Sequence, residues 1–84
     1  MNARQQKTLA KVFADPVSSS LAFADIESLL LAAGATIVEG SGSRVRFRKD
    51  DAIVIFHRPH PEKEAKRYQV RDAREFLRRI GVKP

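Results

Sequence analysis

The sequence predicts an α+β domain: a three-stranded antiparallel sheet with helices on one face, and an extra helix at the N-terminus. Three observations carry this. Apolar residues recur at helical spacing in three segments, strict two-residue alternation runs from Arg44 to Lys49, and the strand candidates are joined by short turns. At 84 residues the chain forms one core, and with no cysteine neither a disulfide nor a thiolate metal site supports it.

Asn2 to Ala14 reads as a helix, with Leu9, Val12 and Phe13 on one side and Arg4, Lys7 and Lys11 on the other. Asp15-Pro16 stops it, because proline disfavours a helical residue before it. Val17 to Ser20 is a polar linker. A second helix spans Phe23 to Ala33, with Ile26, Leu29, Leu30 and Ala33 on one face and Gly34 as its C-cap. Thr36 to Glu39 is the first strand, and Gly40-Ser41-Gly42-Ser43 turns the chain. In the second strand, Arg44 to Lys49, Val45 and Phe47 face one way and Arg44, Arg46 and Arg48 the other. Asp50-Asp51 turns again. The third strand, Ala52 to His57, is apolar on both sides and is expected to be the best buried. Arg58-Pro59-His60-Pro61 breaks it, and Glu62 to Arg67 is a charged approach. The last helix runs from Gln69 to Ile80. Val70, Ala73, Phe76, Leu77 and Ile80 form its core stripe, and Arg71, Arg74 and Arg78 line the opposite side.

Charge is unevenly placed along these elements. The chain carries 16 Lys and Arg against 10 Asp and Glu, net +6, and all of the excess lies after Ser43. Concentrated cations suit a polyanion, since neutralised phosphates release counterions. No segment is a membrane span, and Met1 to Gln6 lacks the apolar run of a signal peptide, so the expectation is a soluble, cytoplasmic protein. From Phe23 onward the order is α-β-β-β-α, the architecture of the double-stranded-RNA-binding domain, and one sheet face is left wet.

Four groups could carry chemistry. Arg44, Arg46 and Arg48 project in parallel, and their guanidinium forks match phosphate oxygens; the alternative is a solvated face or pairing with Glu39 or Asp51. The Gly40–Ser43 turn offers backbone N–H groups to a phosphate, or is a plain hairpin turn. His57 and His60, the only histidines, flank Arg58. Two histidines and an arginine are what metal-free RNA cleavage needs: a base, an acid and a cation for the phosphorane. No carboxylate stands at zinc spacing, so no metal or cofactor is expected. The alternative is one structural and one exposed histidine. Finally, Lys63, Lys66 and Arg67 crowd the start of the last helix, where the dipole favours an anion, unless Glu62 and Glu64 simply pair with them. Tyr68 beside them covers the helix start or stacks on a base.

Read in order, Leu30-Leu31-Ala32-Ala33-Gly34, Gly42-Ser43 before a strand with Phe47, Arg58-Pro59-His60-Pro61, Lys63-Glu64 and Ile80-Gly81-Val82 resemble the HicA toxins of bacterial toxin–antitoxin systems. The resemblance covers Phe23 to Val82. It implies a HicA-like unit over 21–84, preceded by an N-terminal helix and linker over 1–20. It also implies a double-stranded-RNA-binding-domain-like fold, metal-independent endoribonuclease activity on mRNA, and a HicB-like antitoxin partner. In the family a catalytic histidine follows Gly-Ser; here that position is Arg44, which cannot act as a base. His60 matches the family's downstream Arg-His element approximately. Cleavage would therefore rest on His60 and His57, with Ser43, Arg44, Arg46, Arg48, Lys63, Lys66 and Arg67 holding RNA. The alternatives are a non-catalytic RNA-binding module and a domain whose basic face docks an acidic protein.

Overall fold

A reciprocal cap starts the first helix: the Gln5 N–H donates to Asn2 Oδ1 at 2.8 Å, and the Asn2 N–H donates to Gln5 Oε1 at 2.9 Å. The computed structural model describes residues 1–84, and this helix, α1, is Ala3–Val12. The second, α2, is Phe23–Ala32 and has no side-chain cap. Its start is held from outside by an antiparallel bridge between Ala22 and Glu64, flanked by Phe23 N–H to Lys63 O at 2.9 Å and Ala65 N–H to Leu21 O at 2.8 Å. The charged approach to the last helix is thus fastened to the entry of α2, with Ala65 buried beneath it.

Gly34 ends α2 at φ +102°, and Lys49 Nζ donates to the freed Ala33 carbonyl at 3.1 Å. A Cβ at Gly34 would lie 2.9 Å from that ammonium. The lysine tip can move, but the backbone angle cannot suit an L-residue. Gly34→Ala is therefore expected to cost about 1–2 kcal/mol, read as a fall in urea midpoint with unchanged slope.

The strands are β1 (Thr36–Glu39), β2 (Arg44–Lys49) and β3 (Ala52–His57), paired antiparallel in the order β1-β2-β3. Register places Val38 opposite Arg46 and Ile37 opposite Phe47; across the other ladder Arg44 faces His57, Arg46 faces Ile55 and Arg48 faces Ile53. The central strand alternates as expected, Val45 and Phe47 buried and the arginines exposed. The expectation that β3 is buried on both sides is overturned. It is an edge strand, with Ala52 and Phe56 buried but Ile53 46% and Ile55 54% exposed. The helices cover only one face, so alternate residues of β3 meet solvent whatever their hydropathy.

The last helix, α3, is Arg67–Arg79, beginning two residues before the expected start. It packs on β3, while α1 packs on α2 and α3. Phe47, Phe56 and Phe23 form an edge-to-face stack, with centroids 6.1 and 5.3 Å apart, that ties sheet to α2. Leu9 and Val12 of α1 join the same core. Two of the arginines expected on the free side of α3 instead face α1. Arg74 donates to the Val12 and Ala14 carbonyls at 2.8 and 2.7 Å and pairs with Asp15, and Arg78 lies over the Phe13 ring at 5.7 Å. Arg74 thereby completes the carbonyl end of α1, where a cation is favoured. No helix is long and apolar enough to cross a membrane.

Candidate nucleic-acid interface

The β2–β3 ladder ends where Ser43, Arg44 and His57 meet. The Arg58 N–H donates to the Ser43 carbonyl at 2.9 Å, extending the ladder by one bond and setting Ser43 beside His57. Ser43 Oγ then lies 3.5 Å from His57 Nδ1, and Arg44 is directly opposite His57 in register. All three residues are exposed. Gly40 closes this corner: its N–H donates to the Arg44 carbonyl at 2.8 Å, and a Cβ there would sit 3.2 Å from Arg44 Cβ. Gly42 makes the turn at φ +64°.

The strand end is tied to α3 by Gln69, a residue that sequence reasoning missed. Its Oε1 accepts from the Lys66 N–H at 2.9 Å, and its Nε2 donates to the His57 carbonyl at 2.8 Å. The signal was present: a glutamine three residues after the helix cap is half of a capping box. Its second bond, to a strand, has no trace in local sequence. Through Gln69 the exposed cations Lys66 and Arg67 are anchored to the end of β3, with Lys63 a bridge away. His60 is exposed in the turn between, with no side-chain partner.

Arg58, grouped with the histidines by sequence, is held elsewhere. It pairs with Glu27 at 2.6 Å and with Glu39 at 2.6 Å, both through paired hydrogen bonds. Two carboxylates neutralise it and raise its pKa, so it is no free phosphate ligand. Hydrogen bonding to Arg58 in turn holds the Glu39 carboxyl below the ordinary glutamate range. A depressed carboxyl stabilises the fold above its ordinary pKa, and that contribution is lost as pH falls through the lowered one. Thermal denaturation from roughly pH 7 to pH 3 should therefore show a loss of Tm that Arg58→Met flattens.

Arg44 and Arg46 form no ion pair, and Arg48 only donates to the Asp50 carbonyl at 3.0 Å. The cross-strand pairing with Glu39 or Asp51 weighed from sequence does not form. The arginine row, the Ser43–His57 corner and the cations of α3 are thus placed on elements tied together at one end of the sheet. No group of three or more His, Asp or Glu side chains that could hold a metal is present.

Residues 23–82 match the family model described as the HicA toxin of bacterial toxin–antitoxin. No curated protein and no solved structure matches the chain.

Proposed function

The chain belongs to the HicA toxin family, and from that membership we propose that it is an RNA-binding toxin with metal-independent endoribonuclease activity on mRNA. Membership implies an antitoxin partner, and we take that partner to be HicB-like. Residues 21–84 would be the acting unit, with residues 1–20 an added helix buttressing it.

The observation that carries this reading is the corner where Arg44 faces His57 across the ladder and Ser43 Oγ lies 3.5 Å from His57 Nδ1. Arg44 occupies the position of the family's histidine, so the proton-transfer group stands on the adjacent strand instead. With Nδ1 donating to Ser43, His57 Nε2 is free to take the proton of a ribose 2′-hydroxyl. The 2′-oxygen bonds to the neighbouring phosphorus, the bond from phosphorus to the 5′-oxygen breaks, and His60 supplies the proton to the departing oxygen. Arg44 offsets the charge gathered on the phosphorane. The products are a 2′,3′-cyclic phosphate and a 5′-hydroxyl. Arg46, Arg48, Lys63, Lys66 and Arg67 hold the flanking backbone.

A second reading, an RNA-binding module without cleavage, is favoured by Arg44 itself and by the engagement of Arg58 with two carboxylates. The experiment that separates them is incubation of the protein with mRNA in excess EDTA. Fragments ending in 2′,3′-cyclic phosphate are expected. Intact RNA, still bound at low salt and released steeply as salt rises, would select the second reading.

A further inference from the structure

The exposed face of the sheet is ordered in a way that the arginine row alone does not explain. On it Thr36, Arg48 and Ile53 form one rung, and Val38, Arg46 and Ile55 the next; Arg44 and His57 form the last. Arg46 and Arg48 therefore have a neighbour on the strand to either side, and Arg44 has one on β3. Val38 is 47%, Ile53 46% and Ile55 54% exposed, so about half of each aliphatic side chain lies open to solvent. Between the last two rungs is an open depression of about 350 Å³, lined by Val38, Glu39, Gly40, Arg44, Arg46 and Ile55.

From this arrangement, and resting on the RNA-binding reading above, we infer that the face takes unpaired RNA: phosphates on the arginine row, bases against Val38, Ile53 and Ile55. Charge complementarity and continuity with the His57 corner name the occupant. Successive arginines stand about 6.6 Å apart along the strand, close to the separation of phosphates in an extended chain. An A-form duplex presents ribose hydroxyls and phosphates and keeps its bases stacked inside, so it leaves the aliphatic rows nothing apolar to cover. A splayed single strand presents base faces that pack on aliphatic side chains and stack on guanidinium planes. The depression then receives the base next to the bond at His57, which makes Val38 and Ile55 specificity-determining residues. The element order from α2 onward is one that a duplex-binding domain also has, but this face selects single strands.

The test uses the full chain and 2′-O-methyl oligoribonucleotides, which lack the attacking hydroxyl and stay intact. One sequence is measured unpaired and annealed, by fluorescence anisotropy across a salt series. Wild type is expected to bind the unpaired form roughly tenfold more tightly. Ile53→Ser/Ile55→Ser is expected to lose that margin with duplex affinity and salt slope unchanged. Val38→Thr, nearly isosteric and solvent-facing, is the second variant should the double change unfold the chain; a smaller loss is expected. Equal binding of both forms, unaltered in the variants, would overturn this inference and leave RNA binding standing. Failure to bind either form at low salt would overturn the RNA reading itself. Unchanged RNA affinity with loss of an acidic protein partner would overturn it in favour of protein docking.

Discussion

His57→Ala is expected to lower RNA cleavage by about 10²–10⁴-fold, the usual contribution of a positioned acid or base. RNA affinity should be nearly unchanged, because Arg44, Arg46 and Arg48 are untouched. The fold should also survive. The His57 side chain is exposed, and the bond from Gln69 goes to the His57 carbonyl, which alanine retains. A single-turnover assay with bound RNA reads the chemical step directly. Full activity in His57→Ala with loss in His60→Ala would move the base to the turn and break the argument from the Ser43 contact. Ser43→Ala should lower the rate less than His57→Ala, since it removes the group that orients the ring and not the ring itself.

The largest stability effect is expected at Phe47. It is fully buried on the central strand and packs edge-to-face on Phe56, which in turn packs on Phe23 of α2. Phe47→Ala removes the sheet-centre end of this chain of rings and leaves a cavity, at a cost of about 3–5 kcal/mol. A domain of this length has roughly 4–13 kcal/mol to lose. The expected fall in Tm is about 15–30 °C, enough to unfold a weaker member of that range at growth temperature. Phe47→Leu should cost much less. Circular dichroism melting of the two variants checks both statements, and a Phe47→Ala protein with near-wild-type Tm would refute this account of the core.

Much of the fold is legible in the sequence because each element has its own punctuation: Asp15-Pro16, Gly34, the Gly40–Ser43 turn and Gly81 bound segments whose period is clear. What misleads is hydropathy without strand order. Ile53 and Ile55 look like core, and it is the coverage of only one sheet face by helices that puts them in water. Arg74 and Arg78 err the other way: they are polar on a helical wheel, but they meet α1, whose packing the wheel cannot contain. In the site, the arginine row follows from alternation alone. The Arg58 clamp and the Gln69 tie do not, because their partners lie 31 and 12 residues away in sequence.

Gln69 has a mechanical meaning. Its side chain is buried, and both ends of its amide bridge backbone groups, one at the end of a strand and one at the start of a helix. Those two points belong to the parts of the surface that would react and that would grip. An amide plane of fixed size behaves as a strut between them. The distance between the strand end and the helix start is therefore gauged by that strut, together with the Ala22–Glu64 bridge, more than by the turn through Pro59 and Pro61 that joins them.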